Sequence, residues 1–136
     1  MITSVDVSKI EAARDNKEAI SNMKFNIHFD GVKIDKDNVN VAFTFTADYE
    51  GEMAKPVGKL TISGNVVSKE AKKDADEIEK TWSSKQTLPI KFAEDVINIL
   101  NFECGARGTL VAYSIGFVAP LPISRAKLQE GASNVS

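Results

Sequence analysis

Between Met23 and Tyr49 the chain alternates apolar and polar side chains, which is the pattern of strands with one covered face. Met23, Phe25, Ile27 and Phe29 fall on one side of the first run, with Lys24, Asn26 and His28 on the other. Asp30-Gly31 and the polar stretch Asp35 to Asn38 supply turn chemistry. Val39 to Tyr49 repeats the alternation over a greater length, with Val41, Phe43, Phe45, Ala47 and Tyr49 inward and Asn40, Thr44, Thr46 and Asp48 outward. A loop with Gly51, Pro56 and Gly58 leads into Lys59 to Ser68, where Leu60, Ile62 and Val66 face inward and Gly64 predicts a bulge or bend. Ile2 to Val7 alternates more weakly and reads as a short strand. Lys9 to Ile20, rich in Ala, Glu and Lys but interrupted by Asp15-Asn16, reads as a helical turn or two, or as an ordered connector. Consecutive strands joined by short turns make an antiparallel sheet.

The period changes after Ser68. Ala71, Ala75, Ile78 and Trp82 recur at helical spacing, with Ser68 as the expected N-cap, and predict an amphipathic helix. Pro89 suits the first turn of a second helix expected from about Ile90 to Ile115. On a wheel of about 100° per residue, this helix has a narrow polar strip of Lys91, Glu94, Asn98, Asn101, Gly105 and Thr109 and an apolar arc roughly 200° wide. One half of the arc carries Ala93, Val96, Ile97, Leu100, Cys104 and Val111; the other carries Phe92, Ile99, Phe102, Ala106, Leu110 and Tyr113. A helix with two apolar faces needs two partners, the sheet and, most simply, a second subunit. The oligomer interface is therefore expected at Ile99, Phe102, Ala106 and Leu110, together with Glu103 and Arg107, which lie one helical turn apart inside the arc and can satisfy each other. Phe117 to Ile123 is apolar and punctuated by Pro120 and Pro122, so it cannot be helical throughout. The whole is an α+β chain: a four-stranded antiparallel sheet, an amphipathic helix and a long C-terminal helix. Residues 1–127 form one domain in this reading and 128–136 a flexible tail.

Composition supports a folded domain. A chain of 136 residues with 43% apolar and 26% charged side chains can bury a core and lacks the signature of disorder. Its net charge of −2, with Lys and Arg interleaved among acids, argues against nucleic acid as the main partner. No apolar run approaches the roughly 20 residues of a membrane span, so no membrane insertion is expected. One cysteine, Cys104, and a start lacking the basic and apolar run of a signal peptide point to the cytoplasm.

Reactive constellations are scarce. His28 is the only histidine and lies on an outward strand position, Cys104 falls in the apolar arc, and Gly105 and Gly108 do not follow a strand, so they are not a phosphate loop. The reading is of a protein that is not an enzyme and carries no cofactor or metal. The set Phe92, Phe102, Tyr113, Phe117, Leu121 and Ile123 exceeds what a small isolated core explains; it reads first as core plus dimer interface and otherwise as exposed client-binding surface, with Phe92, Tyr113, Phe117, Leu121 and Ile123 expected nearest the client or partner.

The order of elements resembles the SecB export-chaperone family. Stretches are similar to a SecB-like archaeal group: Asp48-Tyr49-Glu50, Val57-Gly58-Lys59-Leu60-Thr61-Ile62-Ser63-Gly64, the Trp82 helix, Leu88-Pro89 and Pro120-Leu121-Pro122-Ile123. The resemblance covers roughly residues 2–127 and rests on order and scattered identities. It implies an ATP-independent holdase whose subunits pair through helices as a dimer or tetramer, leaving apolar grooves for unfolded or exported polypeptide. It also implies a contact for a translocation motor at Asp48, Glu50 and Glu52. Two departures stand out: the acidic turn is longer, with Lys55 and Pro56, and the last helix runs on through Gly105 and Gly108 where the family breaks it. The alternative reading is a non-catalytic assembly subunit that docks on a larger complex and shares the fold.

Overall fold

A computed structural model of the chain describes residues 1–117. Strands β1 (Ile2–Arg14), β2 (Asn22–Asp35), β3 (Asn38–Glu50) and β4 (Pro56–Lys69) are followed by helices α1 (Lys72–Lys85) and α2 (Ile90–Ser114). The sheet order is β1-β4-β3-β2 and every neighbouring pair is antiparallel. β2, β3 and β4 form a meander; β1 then adds to the free side of β4, so residues 15–21 cross the end of the sheet to reach the opposite edge.

The alternation of β3 is reproduced in burial. Val39, Val41, Phe43, Phe45, Ala47 and Tyr49 are buried, as are Leu60, Ile62 and Val66 of β4 opposite them. The helices cover this face, with α1 over β2 and α2 over β1 and β4. Ala75 and Ile78 of α1 and Ala93, Val96, Ile97, Leu100 and Cys104 of α2 complete the core. The opposite face carries Asn40, Thr44, Thr46, Asp48, Thr61, Ser63 and Asn65, all half-buried or exposed.

Three local expectations are corrected. Lys9 to Arg14 is strand and not helix: Ile10, Ala12 and Arg14 pair with Ile62, Leu60 and Gly58, so ladder pairing overrides the helical composition. Asp30-Gly31 is a register shift inside a continuous β2, and the turn comes later, at residues 36–37. Ser68 does not cap α1; the N-cap is Ala71, and the Ser68 hydroxyl donates to Glu70 at 3.1 Å. The irregularity expected at Gly64 is present, but the extra residue lies on β1, between Val7 and Lys9. Gly64 allows it, because a Cβ there would overlap the Asp6 carbonyl.

Candidate functional site

The second apolar half of α2 is left uncovered. Phe102 is 68%, Leu110 80% and Tyr113 67% exposed, and Ala106 is exposed between them. Ile99 is half-buried at the upper margin of the stripe. Covering a side chain of this size contributes about 1.5–3 kcal/mol, so three left in water on one helix represent binding free energy available to a partner. Glu103 and Arg107 flank the stripe as an i,i+4 pair at 3.4 Å, and Arg107 Nη2 also donates to the Val5 carbonyl at 3.4 Å. The pair thus fastens the exposed half of α2 to edge strand β1.

Phe92 and Phe117 are placed differently from the rest of their set. Phe92 is 9% and Phe117 2% exposed, so in this arrangement neither offers surface to a partner. Phe92 belongs to the core cluster and lines a pocket shared with Asp74, Glu77 and Ile78 of α1. Phe117 follows a reversal at the end of α2: its amide donates to the Ala112 carbonyl at 2.7 Å, and Gly116 takes a left-handed backbone, φ +77°. The ring then stacks on Tyr49 with centroids 4.0 Å apart and planes 21° from parallel. Arg14 caps it, its guanidinium carbon 5.5 Å from the ring centre. Gly58 forms the floor, since a Cβ there would overlap the Phe117 ring. Arg14 is held in turn by three carbonyls, those of Asn16 at 2.8 Å and of Glu18 and Gly116 at 2.9 Å. The expected site residues Leu121 and Ile123 and the tail 128–136 lie outside the described residues.

Arg14 and Gly58 were not singled out by the sequence as site residues. Nothing local marks them: they come together with Tyr49 only because β1, β4 and β3 are adjacent in the sheet, at the register Arg14↔Gly58↔Tyr49.

Asp48, Glu50 and Glu52 lie at the β3–β4 connection. Asp48 is 3.7 Å from Lys59, Glu50 accepts from Asn22 at 3.2 Å and is 3.5 Å from Lys24, and Glu52 opens a short 3-10 turn, Glu52–Ala54. Two of the three acids are thus paired with cations at this end of the sheet.

Titratable chemistry is confined to small clusters. His28 Nδ1 lies 2.7 Å from Asp30, whose second oxygen accepts from the Thr44 hydroxyl at 2.7 Å. The carboxylate therefore joins the imidazole to the hydroxyl, whereas nucleophile activation requires the hydroxyl to donate to the imidazole. Burial pushes the Cys104 thiol up to about 12, with Arg107 opposing and Glu103 adding to the shift, so it is held as a neutral thiol. Burial likewise pushes the Tyr49 phenol up to about 12. Among the described residues no group of three or more His, Cys, Asp or Glu is arranged to hold a metal, and no helix is long and apolar enough to cross a membrane.

A four-stranded antiparallel sheet followed by two helices is an α+β fold, and it is one that a SecB-like chaperone shares. Among solved structures it is similar to the Mycobacterium tuberculosis Rv1957 SecB-like chaperone in complex with a ChAD peptide from the Rv1956 HigA1 antitoxin. The TM-score is 0.53 at 11% identity, over 96% of this chain and 90% of that one. At that identity the likeness is one of fold. No protein-family model and no curated protein sequence matches the chain.

Proposed function

We propose that this protein is a SecB-like binding protein that holds unfolded polypeptide through apolar surface in a homo-oligomer, without using ATP. The observation that carries the reading is the row Phe102, Leu110 and Tyr113, left in water on a helix whose other half is fully packed. A fold shared with a chaperone that binds a peptide agrees with it. Subunits pair through Ile99, Phe102, Ala106 and Leu110, the part of the stripe that bears exposed Phe102 and Leu110, with Glu103 and Arg107 at its margin. Client polypeptide lies toward the C-terminal end of α2, at Tyr113 and beyond. Such binding is driven by burial of apolar surface and tolerates many sequences, because the hydrophobic effect is non-directional. On this reading the protein works in the cytoplasm, where unfolded chains await folding or export.

Two assays test it. Light scattering gives a dimer or tetramer for the wild-type chain and a monomer for the Phe102→Ser/Leu110→Ser variant. The wild-type chain suppresses aggregation of several unrelated denatured proteins, without ATP, and Tyr113→Ser weakens that suppression. A protein that is monomeric and protects none of them is not a holdase; one that copurifies with a single stoichiometric partner is a docking subunit instead.

A further inference from the structure

We infer that the seat occupied by Phe117 is a recognition slot for an aromatic side chain of the client, and that Phe117 fills it as a built-in competitor. The inference rests on the polypeptide-binding reading above and names one subsite of it and its regulation.

The seat is made by the sheet, and Phe117 enters it from the end of α2. Its three walls come from three adjacent strands at one register: the Arg14 guanidinium from β1, the bare backbone of Gly58 from β4 and the Tyr49 ring from β3. Tyr49 has no exposed surface and is fixed in the core. Arg14 is fixed by its bonds to the Asn16 and Glu18 carbonyls, which lie in the connector and do not depend on Phe117. The slot therefore keeps its shape when the ring leaves. Its chemistry is selective: a flat ring stacks on Tyr49 at 4.0 Å and has the Arg14 cation 5.5 Å from its centre, over a floor that has room because it lacks a Cβ. A branched aliphatic side chain gains neither the stacking nor the cation contact.

The occupant is held by few ties. Beyond the ring, what anchors it is the Arg14 bond to the Gly116 carbonyl and the two turn-like bonds from the amides of Gly116 and Phe117 back to α2. Gly116, with its left-handed backbone, is where the chain reverses to bring the ring in, and a change at that one glycine carries the ring out. The position is also apt. Phe117 follows directly on the turn of α2 that bears exposed Tyr113, so a client lying along the end of the stripe meets the slot next. A client aromatic that enters must displace Phe117, and the free fraction of the slot scales the apparent affinity. Weakly apolar segments are turned away, and aromatic-rich unfolded ones are retained.

The probe is a labelled extended peptide of alternating Phe and Ser, compared with its Leu counterpart. Binding is followed by fluorescence anisotropy on the full chain. Phe117→Ala should tighten the Phe peptide by about tenfold and the Leu peptide much less, because the slot is then always free. Adding Arg14→Gln to that variant should abolish the gain. Because loss of a buried ring can perturb folding, the wild-type sequence is tested in parallel with 4-fluorophenylalanine at position 117. Saturating Phe peptide should move its fluorine resonance from a buried to a solvent-exposed position. Equal or weaker Phe-peptide binding by a folded Phe117→Ala variant overturns the inference, as does a fluorine signal that stays buried at saturation; in both cases the holdase reading stands. Absence of binding to either peptide by wild type and variant alike removes both.

Discussion

Leu100 and Leu110 belong to the same helix and have the same side chain, yet Leu100 has no exposed surface and Leu110 is 80% exposed. The same contrast runs along α2: Ala93, Val96, Ile97 and Cys104 are sealed against β1 and β4, while Phe102, Ala106 and Tyr113 face water. The difference lies in what each half has to pack against. A sheet face covers a stripe about 100° wide on a helix lying on it, so a helix apolar over roughly 200° has half of that arc left over. Residue type made both halves fit for burial; the subunit supplies a partner for only one. The uncovered half is therefore apolar surface that the chain itself does not bury.

Substitutions on the two halves sharpen that contrast. Leu100→Ala should destabilise the fold by about 2–5 kcal/mol in chemical denaturation, since it opens a cavity in a sealed site. Leu110→Ala should change the stability of the isolated subunit by no more than about 0.5 kcal/mol, while weakening self-association measured by light scattering. A helix in which both cost the same would not have two distinct halves. At the sheet, Gly64→Val forces a side chain into the Asp6 carbonyl and should cost about 1–3 kcal/mol by thermal unfolding, more than the same change at Gly31, where nothing lies within 4 Å.

Alkaline pH probes the sealed half directly. The Cys104 thiol and the Tyr49 phenol ionise ordinarily at 9.0 and 10.0, and burial holds both neutral to about 12 in the folded chain. The unfolded chain then loses protons that the folded one keeps, so stability is full below pH 9 and falls as pH rises toward 12. Denaturation midpoints across that range should show the fall, and Cys104→Ala should flatten its onset near pH 9. The smallest effect is expected from Arg107→Ala, about 0.3–0.5 kcal/mol, because its pair with Glu103 is partly exposed and screened.

Most of the fold was legible in the sequence. The β3 alternation from Val39 to Tyr49 and the start of α2 at Ile90 coincide with the structure, because period and proline position are local signals. The excess apolar arc was legible too, and its division into two halves matches burial except at Phe92, which is buried, at Ile99 and Val111, which are both half-buried, and at Gly105 of the polar strip, which is buried. Lys9 to Arg14 was not, because its Ala, Glu and Lys favour helix locally while the pairing with β4 that decides it lies about 50 residues away. Burial of Phe117 was likewise hidden. It depends on Arg14, Gly58 and Tyr49 meeting at one sheet register and on a reversal at Gly116, and none of these leaves a trace in the hydropathy of residues near Phe117.

If the uncovered half of α2 binds other chains, groups placed on it should crosslink to them. A photoreactive benzoylphenylalanine placed at Leu110, at Tyr113 and, as the contrasting site, at Asn65 on the polar face of the sheet tests it most directly. With denatured polypeptide present, the account predicts subunit adducts from 110, client adducts from 113 and none from 65. Adducts from 65 alone, or none from the helix at concentrations where aggregation is suppressed, would contradict it.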